Sequence, residues 1–411
     1  MLGVALVGQV AARVSRASSV GRIEQINELL VVCCMAFALC STFSRVGILD
    51  SLNKAIIAVF CLLILVLFFH KRQTKFSFFV LSITAILHAV AFLFPISPKE
   101  GIATYFMYAF WVLFWLYMSQ NWRGFLSAVR NMKSGLDATA ILWSVMVFGS
   151  LFIPVCYKIG WGGTHYFTSF TTDSFEIAPV AMFMMALNIL LYKIDKNKKK
   201  AILLSIIPLT CVFAAGTRTY LIVVLIEFAI LLRVMIKGNS AYAFVLLLMI
   251  TVFFGIASVT NIGQKFESAT FDTNDIRVFL NVFTNGRSEF WMVDWNAFLQ
   301  GDRFSKLFGH GFSYVYDLNQ ATIGMRLYAH NDFINILLNF GLIGMLVYFA
   351  VFVPMVGRIG FRCGMVICLL FTFTWLFNAF FNMIYVYAIA VIGMGLLAVA
   401  LLFDEKSEGF R

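Results

Sequence analysis

The chain has 411 residues, of which 61% are hydrophobic and 12% charged. Soluble domains carry roughly 25% charged residues, so this composition excludes an ordinary water-soluble fold and points to a chain that lives in lipid. Its 31 Lys and Arg against 20 Asp and Glu give a net charge of +11. In a membrane protein that excess marks loops retained in the cytoplasm, not a nucleic-acid partner.

In chain order, an apolar run over Met1–Ala12 is followed by Arg13, Arg16 and Arg22. A signal peptide carries its charges ahead of its apolar stretch, so this order argues against one. A membrane span needs about 20 apolar residues. By that rule spans are predicted at 28–49, 53–70, 76–95, 101–119, 137–157, 175–192, 200–216, 219–237, 240–259, 333–356, 363–381 and 384–403. The expected fold is an all-α polytopic membrane protein with about 12 transmembrane helices. Residues 1–27 form a cytoplasmic segment and 28–259 carry the first nine spans. Residues 260–332 form a long outer loop with amphipathic helices, 333–403 carry the last three spans, and 404–411 are a cytoplasmic tail.

Loop charges support this arrangement. With the N-terminus in the cytoplasm, the inner segments hold Lys71, Arg72, Arg123, Arg130, Lys133, Lys193, the Lys196–Lys200 cluster, Arg233, Lys237, Arg358, Arg362, Lys406 and Arg411. The short outer loops hold Arg45, Lys54, Lys99, Lys158 and Arg218. That bias puts both termini in the cytoplasm. The Lys196–Lys200 cluster reads as a stop-transfer signal in contact with lipid headgroups. The 260–332 segment mixes Lys265, Arg277, Arg287, Arg303, Lys306 and Arg326 with eight acids. Long loops cross largely regardless of charge, and loops of this length tend to carry function. The eight Cys include no CxxC pair, so they read as buried apolar thiols and not as zinc or redox sites.

Three stretches on the outer face could carry chemistry. Ala214-Ala215-Gly216-Thr217-Arg218-Thr219 is a tight reversal between two spans. Its Arg218 is either a snorkelling helix-end Arg or an anion clamp, since a planar guanidinium bonds two oxygens at once. In Thr284-Asn285-Gly286-Arg287-Ser288-Glu289-Phe290-Trp291, Thr284 or Asn285 can cap a helix whose first turn holds Arg287. Free N–H groups and the helix dipole favour an anion there. The plainer reading is an amphipathic surface helix. In Arg326–Gly344, His330, Asn331 and Asp332 precede a span that contains Gly341 and Gly344. A titratable His at a membrane surface is a candidate general base, although an ordinary interfacial His reads the same way. Asn331 or Asp332 can cap the span. His310 lies between Gly309 and Gly311, which suggests a turn and a structural role.

Taken in order, GTRT, NGRSEFW, LFGHGF and AHND with its GLIG helix resemble the O-antigen ligase and polymerase superfamily of bacterial membrane glycosyltransferases. The motifs span roughly 200–350; the N-terminal half adds topology alone. The resemblance implies a glycosyltransferase of the GT-C type in the bacterial inner membrane, with its active site facing the periplasm. Its donor would be a glycan linked through pyrophosphate to undecaprenol, and its acceptor a lipid-linked glycan or lipid A–core. A chain-length regulator is a further partner, and no metal or cofactor is expected. The family's two arginines match Arg218 and Arg287, which would hold the pyrophosphate, and its histidine matches His330, which would assist the acceptor hydroxyl. Tyr328, Asn331 and Asp332 are further candidate contacts. So are His165, Asp173 and Glu176 in the loop after the fifth span, where aromatic and carboxylate groups suit a sugar. A polymerase is favoured over a ligase because GRSEFW and AHNDFINILLNFGLIG read more like polymerases. A lipid-oligosaccharide flippase is the competing class; it is disfavoured by the lack of a repeat between the halves and by the few ionisable residues at membrane depth.

Overall fold

The computed structural model describes residues 19–70, 74–94, 100–159, 165–236, 238–258, 284 and 286–403. Met1–Ala12, Arg13, Arg16, Lys71, Arg72, Lys99, Trp161, Lys237, the first part of the long loop with Lys265 and Arg277, Asn285, Lys406 and Arg411 lie outside the described residues.

The helices in order are α1 (Ser19–Thr42), α2 (Gly47–His70), α3 (Lys75–Ala91), α4 (Glu100–Asn131) and α5 (Lys133–Ser150). After a two-stranded hairpin, β1 (Tyr157–Ile159) and β2 (His165–Phe167), come α6 (Ser174–Asp195), α7 (Lys198–Ala214), α8 (Arg218–Met235) and α9 (Asn239–Ser258). Among the described residues of the long loop, three short helices follow: α10 (Arg287–Gln300), α11 (Arg303–Phe308) and α12 (Tyr314–Ile323). The chain closes with α13 (Asp332–Cys363), α14 (Met365–Phe381) and α15 (Ala388–Leu402).

Each predicted span has a helix at its place, with corrected ends. The 28–49 prediction ran across a turn: α1 stops at Thr42 and α2 begins at Gly47. Ser44 and Arg45 sit in that turn, where Arg45 donates to the Val155 carbonyl at 2.9 Å. The fifth helix ends at Ser150, and residues predicted to complete its span form a 3-10 turn and β1 instead. The fourth runs past 119 to Asn131, carrying Arg123 and Arg130 with it. Among the described residues, four stretches are long and apolar enough to cross a membrane: Gly21–Thr42, Gly47–Phe69, Ser174–Asp195 and Asp332–Cys363. Shorter apolar helices include α3, α14 and α15. This is an all-α, membrane-embedded architecture.

The bundle is organised around α6 and α15, which pack against each other. Every residue of α15 is buried, as expected of a helix that is apolar all round. Outward positions are apolar instead of charged: Phe69 is 88% exposed and Leu346 68%. Bare apolar surface of this kind has a lipid partner. Trp111 of α4 stacks on Tyr348 of α13 at 4.5 Å, and Trp375 of α14 lies 4.5 Å from Phe352. These aromatic contacts fix α13 inside the bundle.

α13 breaks at Gly341, whose φ of 68° lies in the left-handed region. The break has an identifiable partner. In an unbroken helix the carbonyls of Leu338 and Asn339 would accept from residues four further on. Here they accept from the loop instead, Leu338 from the His310 N–H at 2.8 Å and Asn339 from the Gly311 N–H at 3.2 Å. A Cβ on Gly309 would overlap the Asn339 backbone, and one on Gly341 would overlap the Leu307 backbone. Two glycines therefore let the loop lie backbone against backbone on the broken helix, which seats the GHG turn and orients the start of α13.

Candidate active site

Arg287 is the first residue of α10. Gly286 precedes it with φ of 84°, and the Thr284 hydroxyl accepts from the Ser288 N–H at 3.0 Å, so Thr284 serves the helix start as the sequence suggested. α10 is pinned by Trp291, whose indole N–H donates to the Ala329 carbonyl at 2.7 Å and whose ring meets Phe380 edge-on at 5.0 Å. The Arg287 guanidinium donates to the carbonyl of Phe381, the last residue of α14. Carbonyls at a helix C-terminus lack intrahelical partners and carry the negative end of the dipole. This contact anchors one N–H of Arg287 and leaves others of its fork for a ligand.

His330 stands immediately before the cap of α13. Asn331 is that cap: its side-chain oxygen accepts from the N–H groups of Phe333 and Ile334 at 3.0 and 3.2 Å. His330 itself has φ of 51°, an uncommon conformation for a residue with a Cβ and one that tends to mark functional positions. Its ring lies 4.4 Å from that of Tyr328, and its Nδ1 is buried without a hydrogen-bond partner. Burial, then the positive charge of Arg287, push the imidazole down to about 3. His330 is therefore neutral across the physiological range.

Arg218 opens α8 at the reversal predicted for it. Its charge interacts with the Tyr166 hydroxyl of the hairpin and with Arg287. Burial is the main cause that holds Arg287 below the usual guanidinium range; the Tyr387 and Tyr328 hydroxyls oppose it, and Arg218 adds to it. Arg218, Arg287, His330 and Tyr328 thus share one electrostatic neighbourhood, although they come from three well-separated stretches.

The arrangement contains residues that sequence reasoning missed. The Tyr387 hydroxyl lies 3.3 Å from that of Tyr328. Tyr220, two residues after Arg218, faces Asn378 and Asn382 and interacts with Tyr328. Tyr387 and Asn382 sit between α14 and α15, where the predicted last span of 384–403 had taken Tyr387 into the helix. The available signal was chemical: two Asn and two Tyr cluster over 378–387, in an otherwise apolar stretch.

The remaining candidates are engaged in the fold. Asp332 is fully buried; its Oδ2 accepts from the Tyr348 hydroxyl at 2.7 Å, and that hydroxyl in turn accepts from the Trp375 indole at 3.0 Å. Asp173 caps α6 and pairs with Lys158 at 3.1 Å. Glu176, three residues after that cap, accepts from Ser44 and from the Thr172 N–H at 3.1 Å, a reciprocal arrangement close to a capping box. His165 is exposed on β2. His310 stacks on Tyr314 at 4.0 Å within the docked loop. In the same loop Asp294 is buried without a well-formed hydrogen bond on either oxygen. Burial pushes its carboxyl up to about 7, with the Asn319 side chain pulling the other way. Among the described residues, no three His, Cys, Asp or Glu side chains come together to hold a metal ion.

A guanidinium beside a neutral imidazole, with a second guanidinium whose charge bears on the first, suits a reaction in which an anion departs and a hydroxyl loses its proton. No curated protein matches the chain. Residues 203–349 match the family model described as O-antigen ligase, and over that stretch, which contains Arg218, Arg287 and His330, the chain is similar to that family.

Proposed function

We propose that this chain is a glycosyltransferase that polymerises undecaprenyl-pyrophosphate-linked repeat units into O-antigen or a related surface polysaccharide. In this reading the bundle has twelve spans and cytoplasmic termini, and works on the periplasmic face of the inner membrane. Arg218 and Arg287 bind the donor pyrophosphate. An acceptor hydroxyl attacks the anomeric carbon, the bond from that carbon to the pyrophosphate oxygen breaks, and the hydroxyl proton passes to an imidazole nitrogen of His330. Undecaprenyl pyrophosphate leaves with the bonding electrons.

The observation that carries this reading is that the Trp291–Ala329 hydrogen bond seats the helix opened by Arg287 against the stretch holding His330, with the charge of Arg218 bearing on Arg287. Negative charge grows on the leaving pyrophosphate as the sugar bond breaks, so fixed positive groups favour the transition state over the ground state. The acceptor hydroxyl is a poor nucleophile, and a positioned base typically contributes about 10²- to 10⁴-fold. The α10–α12 loop would cover the donor and exclude water, the competing acceptor.

The match description favours a second reading, a ligase that moves finished polymer to lipid A–core. A deletion strain separates the two. Lipopolysaccharide carrying one repeat unit supports the polymerase. A bare core with polymer accumulating on undecaprenyl pyrophosphate supports the ligase, and an unchanged surface glycan contradicts both.

A further inference from the structure

A second charged site lies at the other end of α13. Beyond its break at Gly341, α13 rises about 24 Å from Leu342 to Arg358 at 1.5 Å per residue, most of the roughly 30 Å hydrocarbon core of a bilayer. There α4, the end of α13 and the start of α1 form an open cavity of about 810 Å³ whose charged lining is Arg123, Arg358 and Arg362 with one acid, Glu24. Among the described residues none of the three forms an ion pair. The charges of Arg123 and Arg362 both bear on Arg358.

The arginines are held in place by the fold. Arg123 and Arg362 both lie over the Trp122 ring, at 5.3 and 5.0 Å from its centroid. Arg358 donates to the Ser119 carbonyl, and Arg362 to the Leu402 carbonyl at 3.2 Å. Each of these two keeps further N–H groups for a ligand. The cavity is also lined by Asn27 and Asn121, bonded to each other at 2.8 Å. A Cβ on Gly124 would meet both amides at 2.9 Å, so this wall is closely packed. Phe361, part of the lining, is 94% exposed, and Met365, three residues after Arg362 in the chain, is 71% exposed.

We propose that this cavity binds the phosphate headgroup of an anionic phospholipid. Retention of cytoplasmic loops explains why basic residues lie at this end. It does not explain why three guanidiniums line one cavity, two of them over the same indole. Planar forks match phosphate oxygens, and the exposed Phe361 and Met365 supply an apolar flank for acyl chains. That flank favours a phosphate carried on a lipid over a free one.

The test is native mass spectrometry of the purified full chain titrated with phosphatidylglycerol or phosphatidylcholine, with inorganic phosphate as competitor. Wild type is expected to prefer phosphatidylglycerol. At about fivefold per Arg, R123Q/R358Q/R362Q lowers that affinity on the order of 100-fold. R123Q and R362Q singly lower it about fivefold each, which keeps the test open if the triple variant folds poorly. Glycan transfer in detergent stays unchanged in the single variants. Equal binding of the two lipids, unchanged affinity in the variants, or displacement by millimolar inorganic phosphate would overturn the proposal.

Discussion

Arg287 lies close enough to His330 for its positive charge to depress the imidazole pKa, although the whole α10–α12 loop separates them in the chain. α10 is held against the 329–330 stretch by the Trp291–Ala329 hydrogen bond. Arg287 and His330 are therefore brought together by one docking event.

The geometry of the clamp makes Arg287→Lys nearly as damaging as Arg287→Ala. A Lys ammonium is a point charge and cannot both hold the Phe381 carbonyl and present a two-pronged fork. Each substitution, and Arg218→Ala, is expected to lower transfer by about 10²- to 10³-fold. Assay of purified variants with a lipid-linked repeat unit measures this, and full activity in Arg287→Lys would remove the geometric part of the account.

The histidines should separate cleanly. His330→Ala is expected to lose about 10²- to 10⁴-fold in kcat. His310→Ala should retain most activity, because the backbone of residue 310, not its ring, contacts α13. The reverse outcome would reassign the base.

His330 should titrate near 3 in the free protein. A base works deprotonated, so the acid limb of kcat/KM, which reports the free enzyme, falls only as pH drops towards that value. Arg287→Gln removes the positive neighbour and should move the imidazole pKa up, as should a bound pyrophosphate. Histidine NMR titration of the two proteins reads the shift, and identical titration curves would show that Arg287 does not act on His330.

Asp294 predicts a stability effect of opposite sign to most buried groups. Its folded pKa of about 7 exceeds the unfolded value of roughly 3.9, so the folded state favours the neutral acid. Its contribution is intact below about pH 4 and is lost as pH rises through about 7. Asp294→Asn should leave Tm unchanged at pH 4 and raise it at pH 8, by an effect on the order of 4 kcal/mol at most. A lower Tm at pH 8 would mean the carboxylate has a partner.

Gly309→Ala and Gly341→Ala should each unseat the loop, since each new Cβ meets backbone and sits at positive φ. The protein should remain in the membrane but lose activity and gain protease cleavage within 303–330. Wild-type activity in both would show that the loop docks without this contact.

Much of this was legible in the sequence, for identifiable reasons. Apolar runs marked every long helix, and turn residues marked the Arg218 reversal, the start of α10 and the Asn331 cap, because capping is local chemistry. Helix ends were less legible. Hydropathy runs through Ser44 and Arg45 without registering a turn stabilised by residues more than a hundred positions away. The motifs around Arg218, Arg287 and His330 gave the candidates, but Tyr387 and Tyr220 enter through packing. Asp173 and Glu176 looked like sugar-binding carboxylates, and the structure engages them in capping α6 and pairing with Ser44 and Lys158.

The central claim divides labour: arginines for the pyrophosphate, histidine for the acceptor. The most direct test is the affinity of purified wild type, Arg218→Gln, Arg287→Gln and His330→Ala for undecaprenyl pyrophosphate. The account predicts at least tenfold weaker binding in each arginine variant and near wild-type binding in His330→Ala, which nonetheless fails to transfer. Unchanged binding in both arginine variants, or its loss in His330→Ala alone, would contradict it.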